Sequence, residues 1–191
     1  MSTPAKAGVI SHELILGGAR SGKSAYAEWR ASQAASVCYI ATAQAGDDEM
    51  SDRILKHQRQ RPSHWQTLEQ PIALAEAIQQ GAEHSELVLI DCLTLWLSNC
   101  LLSGEETWQQ QRIRLLEQLQ CQTVPVLMVS NEVGQGVVPM GELSRRFVDE
   151  SGRLHQAIAA QVHHVTLVTA GLPQALKRYG QLTFPPYGVT P

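Results

Sequence analysis

The run Gly17-Gly18-Ala19-Arg20-Ser21-Gly22-Lys23-Ser24 carries the most specific chemistry in this 191-residue chain. It is a complete GxxxxGKS. Its glycines let the backbone curl around phosphate with the N–H groups turned inward, at the start of a helix whose dipole favours an anion. Lys23 is placed to reach the β- and γ-phosphates, and the Ser24 hydroxyl to ligate Mg²⁺. A merely structural glycine-rich turn is the alternative. The setting, between a short apolar strand and a helical stretch, favours the nucleotide. Such a loop needs an acid at the end of another apolar strand to hold the metal shell, and Leu87-Val88-Leu89-Ile90-Asp91 supplies one.

A second group follows the second apolar run. Asp47 to His57 reads as an amphipathic helix with Met50, Ile54 and His57 on one face, at i, i+4, i+7. Taken alone, His57 is a core-edge histidine. Arg59 and Arg61 follow, before Pro62. A neutral imidazole beside a phosphate site can also attack an α-phosphorus while arginines neutralise the developing charge. The residues by themselves leave both readings open.

The elements that must position these groups are legible as an alternation. Short β-type runs at Glu13–Leu16, Val37–Ala41, Leu87–Ile90, Val124–Ser130 and Val165–Thr169, with a weaker one at Trp65–Glu69, are separated by helical stretches. The helices fall near 23–35, 47–60, 71–80, 94–102, 108–120 and 141–161. This order predicts an α/β fold, a mostly parallel sheet flanked by helices, in one P-loop NTPase domain over 12–180. Residues 1–11 read as an N-terminal extension and 181–191, with FPPYGVTP, as a C-terminal tail. Pro71 is expected at a helix start and Gly81 just past that helix's end.

Composition removes several classes. Hydrophobic residues make up 43% and charged residues 17%, as in an ordinary globular protein. A net charge of −3 with no basic run argues against nucleic acid as a partner. The N-terminus lacks the apolar run of a signal peptide. The stretch from Leu87 to Leu102 is broken by Asp91, Ser98 and Asn99 and is short for a membrane span. The expected location is the cytoplasm. Cys38, Cys92, Cys100 and Cys121 form no CxxC pair and read as reduced, packed thiols. His12, His64, His84, His163 and His164 show no metal-ligand spacing.

Five blocks in order, LGGARSGKS, YIATAQAGDDEM, R-I-x-x-H-x-x-x-R-P, LIDCLTLWLSN and SNEVGQGVVP, resemble the bifunctional adenosylcobinamide kinase/guanylyltransferase family from about Glu13 to Lys177. The resemblance implies a RecA-like fold, a trimer, and two reactions in cobalamin biosynthesis. Adenosylcobinamide is phosphorylated with ATP or GTP, and its phosphate then receives GMP from GTP. It also implies that His57 is the covalent guanylyl carrier. Gly17 to Ser24 match the family's triphosphate loop, and Thr42, Ala43 and Gln44 its loop after the second strand. Gln58, Arg59, Gln60 and Arg61 match the stretch after the histidine, and Glu69 and Asp91 match acidic nucleotide contacts. A carboxylate at Glu69 could accept two hydrogen bonds from the guanine N1–H and N2–H₂ edge. Asn131-Glu132-Val133-Gly134 lines the site by this resemblance, without an assigned role. His155 stands where the family leads one to expect asparagine, far in sequence from the chemistry.

Three rivals compete with this reading. A GTPase switch would need NKxD where Ser130-Asn131-Glu132-Val133 stands. A RecA-type motor would need an arginine finger, for which Arg145 and Arg146 are candidates. A P-loop metabolite kinase without guanylyl transfer is the nearest alternative.

Overall fold

The computed structural model describes residues 11–43 and 62–183. The helix expected over 47–60 lies outside them. The elements run β1 (Glu13–Gly17), α1 (Lys23–Ala31), β2 (Val37–Ala41), β3 (Gln66–Glu69), α2 (Leu74–Ala82), β4 (Leu87–Asp91) and α3 (Leu93–Leu102). They continue as α4 (Glu105–Cys121), β5 (Val126–Asn131), α5 (Glu142–Gln161), β6 (His164–Thr169), β7 (Leu172–Arg178) and β8 (Gln181–Leu182). Eight strands form one sheet in the order β3-β2-β4-β5-β1-β6-β7-β8. The first six pair in parallel, and β7 and β8 add an antiparallel edge.

The central strands are buried on both faces, which explains why they read as continuous apolar runs rather than alternating ones. On one face Ile15, Val37, Tyr39, Leu89, Leu127 and Val129 pack against Ala27 and Ala31 of α1. Those alanines let the helix lie close to the sheet. On the other face Leu14, Ile40, Val88, Ile90, Val126 and Met128 meet the remaining helices. There Trp96 and Trp108 stack edge to face at 5.7 Å. Their ring N–H groups donate to the Ile72 carbonyl at 2.7 Å and to Glu150 at 2.8 Å, as buried indoles require. Burial pushes the Cys38 thiol up to about 11 and the Cys100 thiol up to about 12, so both behave as apolar filler.

Several boundaries differ from expectation, each for a local reason. Pro71 does not open α2; Gln70 does the capping, its side-chain oxygen accepting the N–H groups of Ile72 and Ala73. Gly81 lies inside α2 rather than beyond it. A Cβ there would stand 2.7 Å from Cys38 Sγ, so glycine is required by close helix–sheet packing. β7 and β8 were not expected at all, and β8 extends the sheet past residue 180. Two hairpins of two residues build this edge. Ala170 and Gly171 both have positive φ, as do Tyr179 and Gly180, the geometry of type I′ turns.

His12 ties the start of β1 to its neighbour. Its Nδ1 accepts the Val126 N–H at 3.0 Å, and Nε2 donates to the Gln122 carbonyl at 2.9 Å. That fixes the neutral tautomer, and burial lowers the pKa. Burial lowers His155 and His164 as well. With folded pKa values depressed, the unfolded chain takes up these protons first. Their contribution to stability is therefore intact above the ordinary value of 6.5 and is lost as the pH falls through it. Urea unfolding should shift to lower concentrations between about pH 7 and pH 5. His12→Ala should cost about 1–3 kcal/mol at pH 8, because Val126 N–H loses its acceptor, and should flatten that slope.

Candidate active site

The site is built on the C-terminal edge of the parallel strands, where an open α/β sheet places its ligand crevice. Leaving β1 at Gly17, the chain turns back on itself. Ser21 N–H donates to the Gly18 carbonyl at 3.2 Å, and Arg20 and Gly22 take left-handed backbone angles with φ of 57° and 94°. Helix α1 then starts at Lys23, with Tyr26 N–H donating to the Gly22 carbonyl. The loop is braced by the turn that follows the neighbouring strand β6. Gly171, in the β6–β7 turn, donates its N–H to the Ser21 carbonyl at 2.8 Å, and its Cα lies 3.1 Å from where a Gly22 Cβ would be. Gly17 has no room for a side chain either, since a Cβ would meet Ser21 Oγ at 2.4 Å and the Val168 carbonyl at 2.6 Å.

The loop's polar atoms suit an anion. Ser21 Oγ is buried with no hydrogen-bond partner among the described residues. Lys23 Nζ donates one hydrogen bond to the Gly18 carbonyl at 3.1 Å, which leaves two N–H donors on the ammonium. Burial lowers the Lys23 pKa, opposed by the charge of Asp91 and the Cys92 thiol. Ser24 is half-buried in the first turn of α1. Ala19 and Gly18 are exposed at the loop's crest.

Asp91 ends β4, two strands from β1. Its Oδ2 accepts the Tyr39 hydroxyl at 3.0 Å, so it points to the same sheet face as α1. Ser24 and Asp91 together are a hard oxygen donor pair that fits Mg²⁺ beside a polyphosphate. Glu69, Ala41 and Asp91 stand side by side in register on β3, β2 and β4. Glu69 is exposed at the edge strand, four strands from β1, or roughly 19 Å at the usual strand spacing.

Thr42 plays an internal part. Its Oγ1 donates to the Cys92 carbonyl at 2.7 Å and accepts the Cys92 N–H at 3.0 Å, while its carbonyl accepts from Asn99 at 2.9 Å. It clamps the turn that follows Asp91. Ala43 follows, half-buried. Gln44, His57, Gln58, Arg59, Gln60 and Arg61 lie outside the described residues.

His155 overturns one expectation. Though distant in sequence, it is buried against the end of β5, with Nε2 2.7 Å from Ser130 Oγ and Nδ1 4.0 Å from Glu132. Of the two candidate fingers of the motor reading, Arg145 bonds the Met140 carbonyl and Arg146 pairs with Glu105. A groove of about 310 Å³ opens between α3 and α5, lined by Leu101, Leu102, Pro139, Leu143 and Phe147. Val137 and Met140 are almost fully exposed beside it. The sequence signals none of this groove, because its walls belong to two helices 40 residues apart. No helix among the described residues is long and apolar enough to cross a membrane, and no group of three metal-ligating side chains occurs among them.

Residues 13–176 match the family model described as cobinamide kinase / cobinamide phosphate guanyltransferase. The chain is 54% identical over 167 residues to the bifunctional adenosylcobalamin biosynthesis protein CobP of Pseudomonas aeruginosa, covering 86% of this chain and 96% of that one. It is 39% identical over 178 residues to the protein CobU of Escherichia coli, again bifunctional, covering 86% and 98%. Among solved structures it is similar in fold, at a TM-score of 0.56 and 12% identity, to a prototypical ATPase from the type III secretion system of pathogenic bacteria. That match spans 87% of this chain and 57% of the ATPase.

The tightness at Gly17 is testable. Gly17→Ala must displace Ser21 or the Val168 backbone, and overpacking of this kind costs about 1–3 kcal/mol. Titration with a fluorescent ATP analogue should show affinity weakened on the order of tenfold to a hundredfold.

Proposed function

The chain belongs to the cobinamide kinase / cobinamide phosphate guanyltransferase family, and on that premise we propose how its residues divide the two reactions. In the first, the γ-phosphoryl group of ATP or GTP passes to the aminopropanol hydroxyl of adenosylcobinamide. The N–H groups of the loop from Gly18 to Ser24 hold the phosphates, and Lys23 compensates the charge that develops on the transferring group. Ser24 and Asp91 would hold Mg²⁺, which would supply further neutralisation of the triphosphate's charge. Tyr39 orients Asp91 for that task through its 3.0 Å hydrogen bond.

In the second reaction a ring nitrogen of His57 bonds to the α-phosphorus of GTP, and the bond to pyrophosphate breaks. Adenosylcobinamide phosphate then attacks the phosphoramidate, releasing the imidazole and giving adenosylcobinamide-GDP. Splitting one hard displacement into two suits an imidazole, a good leaving group once protonated. Glu69 reads the guanine edge, and Arg59 and Arg61 neutralise charge at the α-phosphate. The enzyme works in the cytoplasm as a homotrimer, as the family resemblance implies. The observation that carries this reading is the row of groups on one sheet edge. The phosphate loop on β1 and Asp91 on β4 stand two strands apart, in a chain 54% identical to a bifunctional relative.

Lys23→Ala should lower the kinase rate on the order of 10²–10³-fold, measured as phosphate transfer from γ-³²P-ATP to adenosylcobinamide. An undiminished rate would remove the loop from the mechanism. Incubation with α-³²P-GTP should leave a protein-bound label that survives alkali and is lost in mild acid, whereas γ-³²P-GTP should leave none. His57→Ala and His57→Asn should both abolish that label and retain the kinase step. A wild-type protein that takes no label would favour the plain metabolite kinase.

A further inference from the structure

The end of β5 carries a chain of buried polar groups that the two reactions above leave without a task. Thr94 Oγ1 accepts the Asn131 N–H at 2.7 Å and lies 3.3 Å from Ser130 Oγ. Ser130 Oγ is 2.7 Å from His155 Nε2, and His155 Nδ1 faces a Glu132 carboxylate oxygen at 4.0 Å. Thr94, Ser130 and His155 are buried, while the Glu132 side chain is 24% exposed. The protons can be ordered in one direction. Thr94 already receives an amide proton, so its own can go to Ser130 and the Ser130 proton to Nε2. The ring proton then sits on Nδ1, toward Glu132. Burial lowers the His155 pKa against the opposing pull of Glu132, which keeps the ring neutral in neutral solution.

Two hydrogen bonds fix Glu132. Its N–H donates to the Gly17 carbonyl at 3.0 Å, and its carboxylate accepts the Gly134 N–H at 2.7 Å. It therefore stands one residue past the strand end, bonded to the first residue of the phosphate loop. Of the other carboxylates at this edge, Asp91 is engaged by Tyr39 on the α1 side, and Glu69 is four strands from β1. Glu132 and Ser130 lie on the opposite face, with α3 and α5. Those two helices meet Ser130 through Thr94 and His155 and continue outward as the walls of the apolar groove. The carboxylate is thus beside the phosphate loop but open to a second substrate arriving from the face away from α1.

We propose that Glu132 is the general base of the kinase step and that His155 is the positioning residue that holds it. The acceptor hydroxyl oxygen forms its bond to the γ-phosphorus as its proton passes to the Glu132 carboxylate. The bond from the γ-phosphorus to the β,γ-bridging oxygen breaks, and its electron pair leaves with the nucleoside diphosphate. The proton is then released to solvent. This assignment rests on the kinase reading of the same site.

Steady-state kinetics with ATP and adenosylcobinamide test it. Glu132→Gln keeps shape and removes the base, so kcat should fall on the order of 10²–10⁴-fold with the KM for ATP unchanged. Glu132→Asp should retain an intermediate rate. His155→Leu should lower kcat by less, and His155→Asn, which keeps an acceptor for the Ser130 hydroxyl, should restore most of it. A wild-type kcat in Glu132→Gln overturns the assignment. So does a joint loss of ATP affinity and kcat, which would make Glu132 only a brace for the loop. If Glu132→Gln does not fold, the His155 pair decides. A kcat loss in His155→Leu that asparagine rescues supports the proposal, and equal rates in both variants and the parent overturn it. A wild-type protein that does not phosphorylate adenosylcobinamide would refute the family reading itself, and is seen before any variant is made.

Discussion

A single buried carboxylate organises the scaffold below the site. Glu13, fully buried at the start of the central strand β1, accepts hydrogen bonds from Thr166 at 2.5 Å, Tyr26 at 3.2 Å, Arg30 at 3.0 Å and Arg178 at 3.4 Å. Those partners belong to β6, α1 and β7, so one charge joins β1 to a helix and two strands. A buried ion is tolerable only if its lone pairs are filled, and removing one partner typically costs about 3–5 kcal/mol. Tyr26 and Arg30 fix α1 against β1 at its far end. That fixes the direction in which the helix's first turn, with Lys23 and Ser24, faces the sheet's edge.

The phosphate loop is the converse case, a segment whose local backbone is costly and whose surroundings hold it. Arg20 in the left-handed region is unfavourable for a residue with a side chain, and such strain persists only where neighbours over-determine it. Here the neighbours are the β6–β7 turn, bonded to Ser21, and the close approach of Val168 and Ser21 to Gly17. The antiparallel edge is therefore part of the site. It supplies Arg178 to Glu13 at one end of β7 and Gly171 to the loop at the other.

How much of this was legible in the sequence follows from the range of each interaction. The parallel strands announced themselves because burial on both faces demands unbroken apolar runs, and GxxxxGKS announced its turn because few other residues can make it. β7 was missed because Leu172-Pro173-Gln174-Ala175 neither alternates nor stays apolar. The usable signal was in the Ala-Gly and Tyr-Gly pairs, each ending in the glycine that a two-residue hairpin favours. Glu13 opens an apolar run with no local sign of its role; partners up to 165 residues away make it a buried hub. His155 was set aside for its distance in sequence, a poor guide when α5 runs back past the end of β5. Gly81 followed the statistics of helix ends, yet the Cys38 thiol that dictates it lies on the strand packed beneath that helix, 43 residues away in sequence.

Fold similarity and chemical identity separate cleanly here. The sheet shares its architecture with a secretion ATPase at 12% identity, so the order of strands is compatible with a motor as well as with a biosynthetic enzyme. In this chain several polar groups of the edge are bonded internally. Arg145 and Arg146, the side chains a motor would extend to a neighbour, are engaged within their own chain. Thr42 and Asn99 are tied to backbone around Cys92 and Pro71, which clamps the turn beyond Asp91. On the other side of β1, Glu132 and His155 extend the polar surface past the strand ends, toward a helix pair whose outer reach is apolar. An edge tied by hydrogen bonds beneath the phosphate loop, with an apolar groove on the face away from α1, is compatible with transfer to a large, partly apolar acceptor. That match between the commitments of individual side chains and the demands of a second substrate is what the shared fold alone does not contain.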